Sequence, residues 1–362
     1  MIRSQSTPIW VATLVLICLA FPKPWAHGAQ GALEGFEDRR VMTSYRLQPG
    51  ESIDLDGVLN ESLWDRVEPA TDFIQVDPSN GEPSTELTEV RIVYSDDALY
   101  MGVTCFDSDP SQMMGNTMLR DAALSSGDRF MWVFDTYLDE RSGYFFEINP
   151  SGSMGDSLVL AGGGQQRAWD GIWTARIRRT DVGWIAEIEI PFRTLSFDPT
   201  GEAWGINFQR TVRRKNEESI WNGYARNQNL RTMPNAGLML GLSEVSQGIG
   251  LDIKPYVVGS GLYDTRRPDP DNRSLFTGDT GVDVVYNITP SLRASFTVNT
   301  DFAETEVDDR QVNLTRFPLR FPEKREFFLE GSNYFGLVAP LDVFFSRRIG
   351  LNQGLPQRIE YG

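Results

Sequence analysis

The chain has 362 residues, of which 34 are basic and 50 are acidic, so its net charge at pH 7 is −16. This length suits two domains of ordinary size with a sizeable buried core, and the acidic balance argues against nucleic acid or anionic lipid headgroups as partners. The single histidine is His27, near the N-terminus, and the cysteines are Cys18 and Cys105. This composition excludes zinc enzymes, Ser-His-Asp hydrolases and disulfide frameworks. We expect Cys105 to be a small buried hydrophobe.

Residues 1–30 have the features of a secretory signal peptide. Arg3 precedes an apolar run at 9–21, and small residues follow at 26–29. The run is too short to span a bilayer, and an uncleaved N-terminal anchor is the alternative interpretation. Cleavage would remove Arg3 and Lys23 and leave 32 basic against 50 acidic residues, a net charge of −18. We therefore expect secretion across an inner membrane.

The chain between 52 and 224 predicts a succession of short strands. Asp56 and Gly57 form a turn, and a short helical turn then directs Leu63 and Trp64 inward. Strands are predicted at 89–94, 99–106, 130–138, 143–149, 171–179, 183–191, 203–212 and 219–224. Turn signals recur every 8 to 12 residues, and no segment sustains helical periodicity over a dozen residues. We predict an all-β fold in which residues 45–245 form a β-sandwich.

The hairpin at 128–156 is predicted to lie at the centre of this sandwich. Apolar residues occupy both alternating faces of its first arm, with Met131 and Val133 on one side and Phe130, Trp132 and Phe134 on the other. A strand that is apolar on both faces is covered on both, which favours a central position over a solvent-exposed edge. We expect a binding site beside the polar rim of this hairpin rather than on its arms.

Several motifs between 52 and 244 carry a family resemblance. They are Leu55-Asp56-Gly57 leading to Trp64, Val93-Tyr94-Ser95-Asp96-Asp97-Ala98-Leu99-Tyr100, Asp128, Glu187-x-Glu189-Ile190-Pro191-Phe192-x-x-Leu195, and Trp204-Gly205-Ile206-Asn207-Phe208-x-Arg210. In this order and spacing they resemble the family 9 carbohydrate-binding module. The resemblance implies a jelly-roll-like β-sandwich that binds sugars, is often joined to secreted xylanases and related glycosidases, and carries structural calcium.

The sequence changes character after Glu244. Segments 251–259, 281–288 and 291–300 alternate apolar and polar residues around a tight turn at Thr289-Pro290 and a long polar loop at 263–280. Short turns on one side and long loops on the other are typical of outer-membrane strands, and a continued soluble sheet is the alternative.

A second resemblance concerns this part of the chain. Its motifs are Val298-Asn299-Thr300-Asp301-Phe302-Ala303-Glu304-x-Glu306, Gln311-Val312-Asn313-Leu314-Thr315-Arg316-Phe317, and Phe321-Pro322-Glu323-Lys324-Arg325-x-Phe327-Phe328-Leu329-Glu330-Gly331. They resemble a bacterial family that joins a sugar-binding-like module to a predicted outer-membrane β-barrel. The resemblance implies that residues 246–362 begin such a barrel domain as a partial β-barrel of antiparallel strands. Because about 110 residues are too few to close a large barrel, we expect the chain to be a piece of a longer protein.

Aromatic rings and planar polar side chains are the groups that recognise sugars, because rings stack on pyranose faces and planar groups pair with vicinal hydroxyls. Trp64, Trp132, Trp184 and Trp204 lie among apolar neighbours and are predicted to be core. The candidates for stacking on a ligand are Trp169, Trp173, Trp221 and Tyr224, with closure of the sandwich end as the alternative role. The candidate hydrogen-bonding residues are Asn149, Gln165, Gln166, Arg210 and Asn222, and Arg210 is equally plausible as a structural partner of Glu187 or Glu189.

Calcium binding would need hard oxygen ligands clustered on loops. The candidates are Asp107, Asp109, Asp128 and Asp156, and solvated loop carboxylates are the alternative interpretation. Among 50 acidic residues a pair of carboxylates at catalytic distance is expected by chance, so the count gives no support for an enzyme.

Three functions follow from these patterns. The first is binding of a poly- or oligosaccharide at the bacterial cell surface, in association with carbohydrate catabolism. The alternative is a structural or transport role in the outer membrane, with a sandwich that no longer binds sugar. The third is a glycoside hydrolase acting on O-glycosyl bonds. The signal peptide and the second resemblance imply location in the outer membrane, the periplasm or the cell surface of a Gram-negative bacterium.

Overall fold

The computed structural model describes residues 36, 38–246, 251–263, 274–289, 292–299, 323, 328, 351–352 and 355–356. The predicted signal peptide and most of the motif at 298–331 lie outside these residues. The named elements, numbered in chain order, are strands and short 3-10 helices. The 3-10 helices are Trp64–Arg66, Pro110–Gln112, Leu124–Ser126, Phe192–Thr194, Arg213–Lys215 and Met233–Asn235. The predicted all-β fold is confirmed.

Two sheets account for the strands between Val41 and Leu240. The first sheet contains β1 (Val41–Thr43), β3 (Ile74–Asp77), β6 (Arg129–Asp135), β7 (Gly143–Ile148), β8 (Met154–Val159), β9 (Gln165–Gln166), β12 (Ala203–Val212), β13 (Glu217–Ile220) and β14 (Gly237–Leu240). Its order is β1-β14-β12-β6-β7-β8-β9, and β13 pairs with both β12 and β3.

The second sheet has the order β10-β11-β5-β4-β2. Its strands are β2 (Tyr45–Arg46), β4 (Thr88–Tyr94), β5 (Ala98–Phe106), β10 (Thr174–Thr180) and β11 (Gly183–Pro191). Pairing in the two sheets is antiparallel except for β1 with β14 and β2 with β4.

The predicted hairpin forms the middle of the first sheet. Its arms are β6 and β7, and β6 lies between β12 and β7. Phe130, Trp132 and Phe134 pack into the main core between the sheets, whereas Met131 and Val133 belong to a smaller apolar cluster on the opposite face. The prediction of a central strand covered on both faces is confirmed.

The predicted core tryptophans are buried. The exposed fraction does not exceed 3% for Trp64, Trp132, Trp184 or Trp204. Burial of each large aromatic side chain contributes roughly 2–3 kcal/mol, so these positions account for much of the stability of the sandwich.

The outer face of β11 differs from its predicted half-buried pattern. Glu187 is fully buried, because the segment around the predicted Asp56-Gly57 turn covers it. Glu187 Oε2 accepts hydrogen bonds from the backbone N–H groups of Asp56 at 2.9 Å and Gly57 at 2.8 Å. The alternating pattern placed Glu187 on the correct face but could not show that a distant segment covers that face.

A three-stranded antiparallel sheet follows, formed by β15 (Leu251–Tyr263), β16 (Ser274–Thr289) and β17 (Leu292–Val298). Two short strands, β18 (Leu351–Asn352) and β19 (Leu355–Pro356), pair with each other. The division of the chain at 245/246 into two domains stays a prediction. Within the described part of the chain, no helix is both long and apolar enough to cross a membrane.

Candidate functional site

A polar cluster lies on the outer face of the first sheet, which points away from the main core. Glu147 of β7 is on this face and lies between Met131 of β6 and Gly155 of β8. Next to it the face is apolar, and Met131 packs there in a small cluster with Leu230 and Met233. The strands thus provide a rigid face on which a buried apolar cluster adjoins the polar cluster.

Glu147 is the centre of the polar part, and its side chain is only 2% exposed. Its Oε2 accepts a hydrogen bond from Arg129 Nη1 at 3.2 Å, and its Oε1 accepts one from Arg167 Nη2 at 3.5 Å. Arg129 also donates through Nε to Thr211 Oγ1 at 3.4 Å and lies 3.9 Å from Glu218 Oε1. Two guanidinium groups therefore compensate the buried carboxylate, which would otherwise be costly to remove from water.

A third guanidinium lies alongside. Arg231 Nη1 donates to Gln165 Oε1 at 2.5 Å, and Gln165 Nε2 donates to Ser157 Oγ at 3.0 Å. Burial lowers the pKa of Arg231, and the positive charges of Arg167 and Arg129 lower it further against the opposing effect of Glu147. We call the following five residues the arginine cluster: Arg129, Glu147, Gln165, Arg167 and Arg231.

The arginine cluster is open to solvent at one side. The side chain of Arg167 is 52% exposed, whereas that of Arg129 is 18% exposed. The absence of a side chain at Gly155 accommodates Glu147, because a Cβ atom at this position would lie 3.2 Å from Glu147 Cγ. A ligand can therefore approach from the side of Arg167 while Glu147 stays at the base of the cluster.

The arrangement supplies planar donors and acceptors for hydrogen bonding. A guanidinium offers five N–H donors, a carboxamide offers both donor and acceptor atoms, and a carboxylate only accepts. Groups of this kind pair with vicinal hydroxyls and with anionic groups. Met131 beside Glu147 is buried together with Leu230 and Met233, so the polar groups are the part of this face that a ligand can contact.

Of the predicted stacking residues, Trp173 lies in the core. It is 6% exposed, and its ring contacts Trp132 and Phe146 edge-on with centroid distances of 5.5 and 5.3 Å. Its Nε1 donates to Asp156 Oδ2 at 2.7 Å. Trp173 thus closes the sandwich end, which is the alternative role predicted for it, and it presents no free ring face.

Trp169 is half-buried in the segment that leads from the arginine cluster to Trp173. Its ring centroid lies 5.2 Å from that of Tyr144 and 6.0 Å from that of Phe146. Trp169 covers the edge of the main core, and Gln165 lies four residues before it. Of the predicted sugar-binding residues, Gln165 is the one that belongs to the arginine cluster.

Trp221 and Tyr224 lie elsewhere. Trp221 is 4% exposed and packs on Phe208 at 5.5 Å, so it is a core residue as well. It borders a cleft of about 340 Å³ beside β1. Tyr224 is 50% exposed and lies beside Gly81, which leaves its ring accessible but separate from the arginine cluster.

Asn149 and Arg210 are buried and bonded to backbone groups. Asn149 Nδ2 donates to Thr117 O at 2.9 Å, and its Oδ1 accepts from the backbone N–H groups of Ser151 and Ser153. The guanidinium of Arg210 donates to Leu87 O at 2.8 Å, Thr88 Oγ1 at 3.1 Å and Phe106 O at 2.5 Å. Arg210 therefore has a structural role, with these groups as its partners rather than Glu187 or Glu189.

The predicted calcium ligands do not form one site. Asp107 accepts from Arg214 at 2.5 Å, and Asp128 accepts from the backbone N–H groups of Met114 at 2.7 Å and Arg213 at 2.6 Å. The partly exposed Asp109 accepts from neighbouring side chains of its own loop. Across the described ranges, no group of three or more His, Cys, Asp and Glu side chains is placed to hold a metal ion. These carboxylates organise loops, and calcium binding stays a prediction without a supporting site among them.

Asp156 lies behind Trp173 and is buried. It accepts from Arg120 Nη2 at 2.5 Å and from the backbone N–H of Gly171 at 3.3 Å. Burial raises its pKa to about 6, against the hydrogen bond from Trp173 and the charge of Arg120. Arg120 also bonds to the exposed Asp170, so this ion-pair network links the 170–173 segment to β8.

The sequence interpretation missed four residues of the cluster. Arg129 and Glu147 had a readable signal, since each places a charge on a strand whose other positions are mainly apolar. Arg167 follows the predicted Gln165 by two positions and lies in the turn after β9. Arg231 gave no local signal, because only the path of the 221–236 loop carries it to the sheet face.

Comparisons with known proteins concern both parts of the chain. Residues 248–358 match a family described as "Domain of unknown function (DUF5916)". A family 9 carbohydrate-binding module from Caldicellulosiruptor kristjanssonii, solved with cellotriose, is similar at 15% identity over 58% of this chain and 97% of that chain, with a TM-score of 0.40. The same kind of module solved with glucose is similar at 15% identity over 56% and 96%, with a TM-score of 0.39.

A Bacteroides uniformis structure is similar at 12% identity over 56% of this chain and 99% of that chain, with a TM-score of 0.44. A search of curated proteins finds no match.

Proposed function

We propose that the sandwich, residues 45–245, binds a poly- or oligosaccharide through the arginine cluster. The observation that carries this proposal is the position of Glu147. It is a buried carboxylate on a central sheet face, held between Arg129 and Arg167, with Gln165 and Arg231 alongside. Carboxylate, carboxamide and guanidinium groups held in fixed positions match the hydroxyl groups of a sugar ring.

The strands hold this arrangement before a ligand arrives. Glu147 lies mid-sheet, and its partners Arg129 and Arg167 limit its rotation. A preorganised site loses less conformational entropy on binding, which favours recognition of weakly hydrophobic ligands such as sugars. We infer that the site acts as a binding module rather than as a catalyst, because the two oxygens of Glu147 are already held by arginines.

Isothermal titration calorimetry of the purified chain against neutral and acidic oligosaccharides tests this proposal. The Arg167→Ala variant should weaken binding by about tenfold or more, because one charge-assisted hydrogen bond is lost. The control is Arg178→Ala, which removes an exposed arginine from β10 on the second sheet. Equal binding by the wild-type chain and Arg167→Ala, or no binding by the wild-type chain, would contradict the proposal.

A second candidate function concerns β15–β17, which present an exposed apolar face. Register places Ile253, Val284 and Phe296 side by side on this face. Its exposed members, with their exposed fractions, are Leu251 40%, Ile253 58%, Val257 81%, Tyr286 45%, Ile288 52%, Phe296 62% and Val298 48%.

The opposite face of the same sheet is mixed, since the buried Val285 lies on it beside Asp252. It carries Asp252, Lys254, Asp283 and Thr297, and Thr297 Oγ1 donates to Asp283 Oδ1 at 2.5 Å. The 13 residues of β15 and 16 residues of β16 exceed the roughly 9–11 that a membrane-spanning strand needs. We infer that these strands insert into the outer membrane of a Gram-negative bacterium with their apolar face toward lipid, and that the sandwich is presented beyond the inner membrane.

Membrane fractionation of the full chain tests this location. The Phe296→Arg variant should leave the outer-membrane fraction in large part, since a charge on the lipid-facing side is costly. The neighbouring Ser295→Arg variant places the same charge on the opposite face and should remain with the membrane. A wild-type chain that fractionates as a soluble protein, or equal effects of the two variants, would refute the proposed location.

A further inference from the structure

The arginine cluster has a local charge that is opposite to that of the whole chain. The chain carries a net charge of −16, yet three guanidiniums converge on the single carboxylate of Glu147. Glu218 is the other carboxylate in range of Arg129, at 3.9 Å, and its side chain is 34% exposed. With both carboxylates counted, the cluster retains an excess of one positive charge.

Acidic residues also flank the cluster. Asp121 Oδ1 lies 3.8 Å from the position of a Cβ atom on Gly155, across that residue from Glu147. Asp121 lies 3.7 Å from Arg120, which also pairs with Asp156 and Asp170. The positive excess is accordingly on the side of Arg167 and Arg231 rather than on the side of Asp121.

Arg231 and Arg167 retain hydrogen-bonding capacity. Among the described residues, Arg231 has no carboxylate within ion-pair distance, and its guanidinium bonds to the uncharged Gln165. Arg167 is half-exposed and reaches Glu147 only through Nη2 at 3.5 Å. A guanidinium has five donors, so most of those on these two residues are available to a ligand.

The two arginines flank one point on the sheet. Gln165 lies in β9, and Arg167 lies in the turn that follows it and reaches the sheet face at Glu147 Oε1. Arg231 comes from a distant loop and bonds to Gln165 from another direction. Arg231 is partly buried, and its guanidinium is close enough to that of Arg167 for the two positive charges to interact.

We propose, on the basis of the proposed saccharide-binding function, that the ligand is an acidic saccharide whose carboxylate or sulfate group binds between Arg167 and Arg231. Guanidinium groups bind carboxylate and sulfate-like groups through paired charge-assisted hydrogen bonds, which are stronger than neutral ones. Gln165 then contacts a hydroxyl of the same sugar ring, and Glu147 positions Arg167 without contacting the anionic group.

A matched pair of ligands isolates the effect of charge. Trigalacturonic acid and its methyl ester have the same ring and linkage, and only the acid carries the charge. Calorimetry of the full chain at about 0.15 M salt limits repulsion from distant acidic residues, because the Debye length is then about 8 Å. We expect the acid to bind at least tenfold more tightly than the ester. A sulfated galactose oligosaccharide, measured beside its desulfated form, shows whether sulfate serves as the anionic group instead of carboxylate.

Variants identify the residues that bind the anionic group of the ligand. Arg231→Gln and Arg167→Gln should each lower affinity for the acidic ligand at least tenfold and change affinity for the neutral form less than threefold. Arg178→Gln is the matched control and should leave both unchanged. Because Arg167 is half-exposed, its variant is expected to fold, and circular dichroism checks this for all three.

The outcomes separate the two proposals. Tighter binding of the acid or sulfated form, lost in Arg231→Gln, supports the inference. Equal or tighter binding of a neutral form overturns it and leaves saccharide binding intact. Binding of inorganic sulfate or acetate as tightly as of the acidic sugar also overturns it. Absence of binding to every neutral and acidic saccharide tested overturns the proposed function itself.

Discussion

Replacement of Trp173 decides whether this residue supports the fold or a ligand. Its ring is 6% exposed, contacts Trp132 and Phe146, and donates an N–H to the enclosed carboxylate of Asp156. Trp173→Ala would leave a cavity at the end of the sandwich and remove one of the donors that compensate Asp156. Trp173→Phe would keep most of the packing and remove only the donor and part of the ring.

The size of each effect follows from these contacts. Truncation of a buried tryptophan to alanine costs about 3–5 kcal/mol, and loss of the aromatic pairs and of the bond to Asp156 places this site at the upper end. Trp173→Phe loses one hydrogen bond to a charged acceptor, which costs about 2 kcal/mol. For a domain of this size, 4 kcal/mol corresponds to a decrease in Tm on the order of 10 °C.

Urea and thermal unfolding followed by far-ultraviolet circular dichroism measure these differences. Tyr224→Ala is the control, because Tyr224 is 50% exposed and its loss should change the free energy of unfolding by about 0.5 kcal/mol or less. Trp173→Phe should also retain saccharide affinity within threefold. A Trp173→Ala variant that is destabilised by less than about 1 kcal/mol, or a Trp173→Phe variant that folds normally and loses ligand binding, would refute the assignment of Trp173 to the core.

Two further predictions concern buried carboxylates. Burial raises the pKa of Asp135 and of Asp156 to about 6, so between about pH 4 and pH 6 the folded state holds protons that the unfolded state has released. Each of the two groups contributes about 3 kcal/mol of stability below pH 4, and this contribution is lost as the pH rises to 6. Burial alone would raise the pKa of Glu86, but hydrogen bonds from Lys215 and Ser108 lower it to about 2, so its contribution is lost as pH falls from about 4.5 to 2. The free energy of unfolding should therefore have its maximum near pH 4, and a maximum above pH 7 would contradict these shifts. Glu187→Ala should destabilise the chain by about 2–4 kcal/mol, because it leaves two backbone N–H donors without an acceptor, whereas Glu187→Gln retains an acceptor and should cost about 1 kcal/mol or less in urea unfolding. Equal destabilisation by both Glu187 variants would show that charge, rather than acceptor geometry, matters there.

Local pattern was sufficient to predict the strands and much of the core. Strand alternation has a period of two residues, so the apolar faces of β6 and β11 are visible in short stretches of sequence. The same reasoning placed Trp132, Trp184 and Trp204 inside, and all three are buried. A strand that is apolar on both faces has few alternatives to a central position in a sandwich.

Local pattern could not assign the ends of the sandwich. The local pattern left Trp173 and Trp221 as candidates either for stacking on a ligand or for closing the sandwich end, and both are buried by packing against residues of other strands. Asp128 and Asp156 were candidates for calcium ligands or solvated loop carboxylates. In the structure Asp128 accepts hydrogen bonds from backbone N–H groups, and Asp156 accepts one from Arg120. The partner of a polar side chain at a loop is set by which distant segment packs there.

The sequence alone therefore determined that the chain is built of strands, where its central hairpin lies and which tryptophans of those strands are buried, because each depends on residues close together in the chain. The tertiary structure decided where a ligand can bind. The arginine cluster joins β6, β7, β9 and a loop more than sixty residues further on, through contacts at Glu147 and Gln165. The periodicity of one segment cannot predict that these residues come together, because their contact depends on strand order and on the path of the loop above the sheet.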